Sequence, residues 1–355
     1  MVTDFCDNLY FVDGIGDVWN HVTLARGQGH RIRGVHKVQQ ISCGSSHVAM
    51  VDYFGSLWTL GENYQGQLGY ETNNPRDNPI PRRVSNLPPV SFVSCGFFFT
   101  CCISYEKELW CFGDNNYGQL GIMGMSSVDQ TPTCVPNMNN VRKIACGTSH
   151  TVILIEDGSI LSAGVNLKGQ LGIGNSSNIE SNETFQVVKK SEYITVKDIG
   201  CTSDTSIFLR SNGQVYACGN FAHFQAKYRP ASDDSVISYY EMVCIPGISD
   251  VTSVNCGYTR LSLFSNEKTI RLDFGASADV PASIRMSRGF SNLSVFQDKE
   301  GYIHGYQNQA ILPATNFPLF SDLEMIKRID EESMMIDNLV NVLGHFESML
   351  LTVLG

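Results

Sequence analysis

Two histidines stand in matching settings, Gly44-Ser45-Ser46-His47 and Gly147-Thr148-Ser149-His150. An imidazole can serve as a general base when a nucleophile or water lies beside it. Neither has a serine, cysteine or carboxylate at a spacing that marks a catalytic set. A strand histidine in a repeated position reads as a satisfied core residue, so His47 and His150 are assigned structural roles. Gln67, Gln119 and Gln170 recur in the string Gly-Gln-Leu-Gly. An amide donates and accepts at once, which suits a buried group that ties off loop backbone. Gly66, Gly118 and Gly169 before them supply a backbone turn. Asp233-Asp234 and Asp330-Glu331-Glu332 read as a solvated turn and an acidic surface run. P-loop, HExxH and GxSxG strings are absent, so no catalytic residue is assigned. No CxxC pair occurs, and neither a metal nor a cofactor is expected.

Cys43, Cys95, Cys146 and Cys256 directly precede a Gly, and Cys201 follows one, in phase with the same repeat. A residue recurring in phase meets the same neighbours each time, as a small buried hydrophobe does. Free thiols point to a reducing compartment, cytosolic or nuclear. The net charge of −10 argues against a broad phosphate-binding surface, so no nucleic-acid partner is expected. The densest basic run, 31–37, is short. No apolar stretch is long enough for a membrane span, and the N-terminus lacks the apolar core of a signal peptide.

These residues sit on two alternating kinds of unit. The first is LWTLGENYQGQLG at 57–69, repeated as LWCFGDNNYGQLG at 109–121 and ILSAGVNLKGQLG at 160–172, with worn copies at 215–227 and 17–30. Apolar, β-branched and aromatic residues make a short strand that ends at Gly61, Gly113, Gly164 or Gly219. The second kind is a Gly-centred strand pair at 38–52, 90–104, 141–156, 196–210 and 251–265, with weaker versions at 283–296 and 338–353. Turns such as Asp157-Gly158 and Asn212-Gly213 join the two kinds, so one period is expected to run strand, strand, hairpin, strand, turn, strand, then a linker. Each kind occurs seven times, but the chain starts with one and ends with the other. The spacing therefore predicts an all-β, seven-bladed propeller of four-stranded blades, closed by pairing of 338–353 with 17–30. Residues 1–355 read as one propeller domain, with 1–16 as a lead-in and 313–337 as an atypical linker within the ring. A short helix is expected near 321–330, from Ser321 and Glu324 and the apolar face Leu323, Ile326 and Ile329.

The units at 44–69, 96–121 and 147–174 resemble repeats of the regulator of chromosome condensation family, a resemblance specific over 38–173 and weaker beyond 265. The resemblance implies a seven-bladed propeller joined end to end. It also implies one of two function classes. Many members are interaction modules, whereas the founding member exchanges nucleotide on a small GTPase and binds nucleosomes. The expected function is thus a protein-interaction scaffold or regulatory module; the alternative is a guanine nucleotide exchange factor for a small GTPase of the Ran, Rab or Arf type. The family's histidine three residues after the Gly is kept at His47 and His150 and replaced by Phe99, Thr205, Arg260, Asn292 and Glu347 elsewhere.

Equivalent loops of a ring project from one side. The loops after the repeated Gly carry Phe97, Phe98, Tyr258, Phe290 and Phe346, with Asp204 and His345 expected at the rim. A shared apolar patch on a surface marks a binding site, and aromatics dominate interface hot spots. A protein partner is expected on this face of a monomeric propeller.

Overall fold

In the computed structural model the described residues are 2–5, 8–12, 15–21, 29–124, 128–174, 181–188, 195–222, 224, 228, 230, 238–257, 261–265, 268–271, 280–281, 285–286, 288–289, 293–297, 303–307 and 310–315. They fall within a compact unit, Met1–Thr315; the second unit, Asn316–Gly355, lies outside them, as does the expected helix near 321–330. The described residues contain no α-helix and form seven sheets, six of four strands and one of five. The chain is a β-propeller.

The second sheet shows the plan. Its strands, in spatial order, are Val38–Cys43, His47–Asp52, Leu57–Gly61 and Arg82–Arg83. The third follows with Val90–Cys95, Phe99–Ser104, Leu109–Asp114 and Val128–Cys134. The fourth has Val141–Cys146, His150–Ile155, Ile160–Val165 and Ser181–Val187; the fifth has Val196–Cys201, Thr205–Arg210, Val215–Asn220 and Ser238–Cys244. Every pairing within these sheets is antiparallel. The second strand is buried on both faces, as in His47–Asp52 and Phe99–Ser104. That burial explains their near-continuous apolar runs.

The core lies between sheets. Ala49, Val51, Leu57 and Leu68 of the second pack against Val90, Val93, Cys102 and Phe112 of the third. The same layer recurs between the third and fourth sheets and between the fourth and fifth. Side chains also staple neighbouring sheets. The Gln40 amide donates to the Val93 carbonyl and accepts from the Val93 N–H, both at 2.9 Å. Lys143 and Asp198 form an ion pair across the next boundary but one.

Two expectations are corrected. The Gly-Gln-Leu-Gly segment is a turn, and the fourth strand of each sheet comes from the linker after it. The turn holds without a ladder because Asn63 Oδ1 accepts the Leu68 N–H at 2.9 Å and Gln67 Oε1 accepts the Gln65 N–H at 2.9 Å. The second correction concerns the N-terminus. The strand slots beside Val18–His21 are filled by Asn8–Val12 and Gly29–Arg31, and Val2–Phe5 completes the sheet. Residues 1–16 thus contribute two strands rather than a lead-in. Local hairpins close short loops at little entropic cost, which favours this adjacent segment. Val2–Phe5 also pairs in parallel with Arg288–Gly289. The 338–353 segment expected there lies outside the described residues.

Candidate protein-binding face

The motif residues are engaged inside the protein. Gln67, Gln119 and Gln170 are buried, and their Oε1 atoms accept the N–H groups of Gln65, Tyr117 and Lys168 at 2.9, 3.0 and 2.9 Å. Gln67 Nε2 reaches Ser46 Oγ at 3.3 Å, and Gln119 Nε2 reaches Asp114 Oδ2 at 2.8 Å. Asn115 and Asn166 repeat the cap that Asn63 makes, accepting the N–H of Leu120 and Leu171 at 3.1 Å each. Gly61, which ends its strand at φ 115°, has no room for a side chain: a Cβ there would lie 2.5 Å from the Ser46 carbonyl oxygen.

The two histidines cross sheet boundaries. His47 Nε2 lies 2.9 Å from Thr100 Oγ1, which in turn lies 2.9 Å from the Gln67 carbonyl oxygen. A hydroxyl has one proton, and the carbonyl can only accept it. Thr100 therefore donates to Gln67 and accepts from His47, which fixes the Nε2–H tautomer. His150, Ser206 and Gln170 repeat the relay at 3.1 and 2.6 Å. Burial lowers both imidazoles from 6.5 to about 3, so they stay neutral near pH 7. This relay explains the Gly three residues earlier. A Cβ on Gly44 would lie 2.2 Å from His47 Cε1, and one on Gly96 would lie 1.9 Å from the Phe99 ring. Thr202 stands in that position in the fifth sheet, where its partner residue is the smaller Thr205.

The repeat cysteines line the ring's interior. Cys95 Sγ, Cys146 Sγ and Cys201 Sγ each lie 3.4 Å from a carbonyl of the preceding sheet, at Ser42, Ser94 and Ala145. Cys43, Cys95, Cys146, Cys201 and Cys256 are buried, and Cys95, Cys146 and Cys201 are free thiols. Burial pushes the Cys95 thiol up to about 12 and raises its neighbours too, which keeps them protonated. Together they surround a cavity of about 30 Å³. No group of three or more His, Cys, Asp or Glu among the described residues could hold a metal ion.

The loops after the repeated Gly are chained around the mouth of this cavity. The Ser45 N–H donates to Phe97 O at 3.1 Å, Phe97 N–H to Thr148 O at 3.3 Å, and Thr148 N–H to Ser203 O at 3.1 Å. Four consecutive loops therefore meet at one end of the propeller. Phe97 and Phe98 pack edge to face, centroids 4.6 Å apart, and both are half-buried. Asp204 is half-buried on the equivalent loop of the fifth sheet. Tyr258, Phe290, His345 and Phe346 lie outside the described residues. The motif turns leave from the same end, because first-to-second and third-to-fourth connections share an end of an antiparallel sheet. They carry Tyr64, Tyr117 and Leu167, which are 47%, 48% and 54% exposed. Sequence reasoning missed these three. Their signal was a bulky apolar body in turn slots beside Asn116 and Gln65.

The chain is 31% identical over 201 residues to the serine/threonine-protein kinase Nek9 of Xenopus laevis, covering 54% of this chain and 21% of that protein. It is 35% identical over 133 residues to the dog X-linked retinitis pigmentosa GTPase regulator, covering 37% of this chain and 13% of that protein. The chain spans about a fifth or less of the length of these curated relatives. Among solved structures, Prp20p from Saccharomyces cerevisiae superposes with a TM-score of 0.68 at 17% identity, over 92% of this chain and 84% of that one. No helix among the described residues is long and apolar enough to cross a membrane. The RCC1-like domain model matches residues 21–262, more than half of the sequence, and the chain belongs to that family.

Proposed function

We propose that this chain is a protein-interaction module whose partner docks on the loop end around the cavity mouth. One observation carries the reading. The side chains best suited to chemistry, namely the histidines, the glutamines and the repeat cysteines, are buried and engaged in holding sheets together. What varies from sheet to sheet is the loops. Phe97 and Phe98 stand half-buried on the loop of the third sheet, Tyr64, Tyr117 and Leu167 on the motif turns of the second, third and fourth, and Asp204 on the equivalent loop of the fifth. Tyr258, Phe290, His345 and Phe346 belong to the same proposal by repeat position. Its extent is the single domain 1–355, monomeric and cytosolic or nuclear, with 313–337 inside the ring. The net charge of −10 supports a partner other than nucleic acid.

The exchange-factor alternative rests on the relatives' names. One is a GTPase regulator, and Prp20p has binding properties to Gsp1p and histones. Affinity capture from native cells, followed by nucleotide-release assays on any GTPase recovered, separates the two readings. Replacing Tyr64, Phe98 and Tyr117 with Ala should leave the thermal midpoint near that of the parent and lose the captured partner. A folded triple variant that retains every partner of the parent removes this face from consideration.

A further inference from the structure

The opposite end of the propeller carries a second, different surface. There each hairpin between second and third strands meets the linker that leads into its own sheet. The Tyr53 N–H donates to the Lys37 carbonyl at 2.9 Å, and the Tyr105 N–H donates to the Pro89 carbonyl at 2.9 Å. Tyr53, Phe54 and Tyr105 are 63%, 71% and 52% exposed. They are neighbours across a sheet boundary: a Cβ on Gly55 would lie 2.9 Å from both Pro89 and the Tyr105 ring.

The repeat supplies its own control. The slot of Tyr53 and Tyr105 holds Glu156 and Ser211 in the next two sheets, and the slot of Phe54 holds Glu106, Asp157 and Asn212. The hairpin architecture therefore accepts polar residues here and does not require aromatics. The Phe54 hairpin is also held rigid. Buried Asp52 accepts from the N–H groups of Phe54 and Ser56 through Oδ1, at 2.9 and 2.8 Å, and from Trp58 Nε1 through Oδ2, at 2.9 Å. A rigid aromatic on the surface loses little entropy on binding.

Charge gives this surface a direction. Arg33 and Lys37 are exposed on the linker that enters the second sheet, in a chain whose net charge is −10. Lys37 Nζ lies 5.5 Å from the centroid of the Phe54 ring. Its backbone is left-handed, at φ 55°, in a slot where Asn140 and Asp250 take φ 59° and 61°. Asn and Asp tolerate that region far better than Lys, so the ammonium is kept against a backbone preference. Carboxylates at this end include Glu106 and Glu108 on the Tyr105 hairpin, Glu156 and Asp157 on the fourth sheet and Asp250 on the linker into the sixth. Glu108 accepts from Ser104 Oγ and Trp110 Nε1, and Glu156 is paired with Lys107 at 3.3 Å.

We propose that this end is a second docking surface, for a short acidic peptide segment of a partner protein. Its carboxylates would lie toward Arg33 and Lys37, with an apolar side chain against Phe54 and Tyr105. This surface is independent of the cavity-mouth face, and the test keeps the two apart. Peptides are selected from a random display library on the full chain, with counter-selection on the Phe54→Ala/Tyr105→Ala double variant. The selected peptides should be enriched in Asp and Glu. A synthetic copy should bind more weakly as salt rises, and should lose roughly tenfold or more in affinity on the double variant, the scale of an aromatic hot spot. Lys37→Asn should weaken it while leaving the thermal midpoint unchanged or higher, because Asn suits the left-handed slot. The Tyr64→Ala/Phe98→Ala/Tyr117→Ala variant should bind it as the parent does. Failure to select any peptide that distinguishes the parent from the double variant overturns the proposal. So do selected peptides without acidic enrichment. Self-association of the parent, abolished by Phe54→Ala, would assign the surface to a second copy of the chain instead.

Discussion

His47 and His150 are built into the fold as neutral groups, and that makes an acid-sensitivity testable. Their folded values lie near 3, well below the ordinary 6.5. Between those two pH values the unfolded chain binds protons that the folded chain refuses, so stability falls as pH drops below about 6.5. The slope is on the order of 1 kcal/mol per pH unit for each ring. Phe99 occupies the same slot in the third sheet, so the site accepts a Phe. His47→Phe should therefore fold and flatten the decline of the thermal midpoint between pH 6.5 and 4. An unchanged slope would mean that the ring is protonated in the folded state. The Gly44–His47 contact gives a second prediction. Gly44→Ala drives a methyl into the imidazole and to 2.5 Å from the Gly96 carbonyl oxygen, and should cost about 1–3 kcal/mol, the usual price of overpacking. Adding His47→Thr reproduces the Thr202 and Thr205 pairing of the fifth sheet. The double variant should then lose less than the sum of the two single losses, as residues in contact do. Strict additivity in urea denaturation would disprove the steric account.

At the scale of elements, the turn after the third strand rests on side chains rather than a ladder. Asn115 Oδ1 is the acceptor for the Leu120 N–H at 3.1 Å, and Leu120 is fully buried. Asn115→Ala should leave that donor unsatisfied, cost about 1–3 kcal/mol, and raise the exchange rate of the Leu120 amide. An unaltered rate would show that another group holds the turn. This tie-off was legible in the sequence, because Asn, Gly and Gln recur at fixed spacing and each has one physical task there. The first three strands of each sheet were legible for a related reason: burial on both faces leaves apolar runs, as in HVAMVD and FTCCIS. The fourth strand was not. Val128–Cys134 contains Pro132, and Ser181–Val187 is mostly polar with one buried residue, Phe185. An edge strand needs neither alternation nor an unbroken set of donors, so its pattern resembles that of a linker. The exposed aromatics on the loops were hidden too. Whether Tyr64 or Tyr117 stands proud depends on packing between sheets distant in sequence, which no local pattern encodes.

At the scale of the whole unit, the described ladder between the N-terminal sheet and the late part of the chain is short. Val2–Phe5 pairs in parallel with Arg288–Gly289 through Thr3 with Arg288 and Asp4 with Gly289. Bringing together chain positions nearly three hundred residues apart costs roughly 5 kcal/mol from the logarithmic term of loop closure alone. A two-residue ladder cannot offset that unaided, since each hydrogen bond contributes only about 1 kcal/mol net. The segment must therefore act through its own sheet as well. Asn8–Val12 covers the edge of Val18–His21, and Tyr10 and Val18 are buried against Val38, Ile41 and Met50 of the second sheet. Removing residues 1–12 should strip that edge, leave Arg288–Gly289 without its parallel neighbour, and open the layer between the first two sheets. The expected result in calorimetry is a lower midpoint and a broadened or split transition, with new proteolytic cuts near 18–31. Deleting 338–355 is the matching experiment, because the repeat count gave that segment the task of completing the N-terminal blade. If removal of 1–12 leaves a single sharp transition at the parent's midpoint while removal of 338–355 abolishes it, the closing strand comes from the C-terminal segment. If the first deletion is the damaging one, residues 2–12 are the closing element.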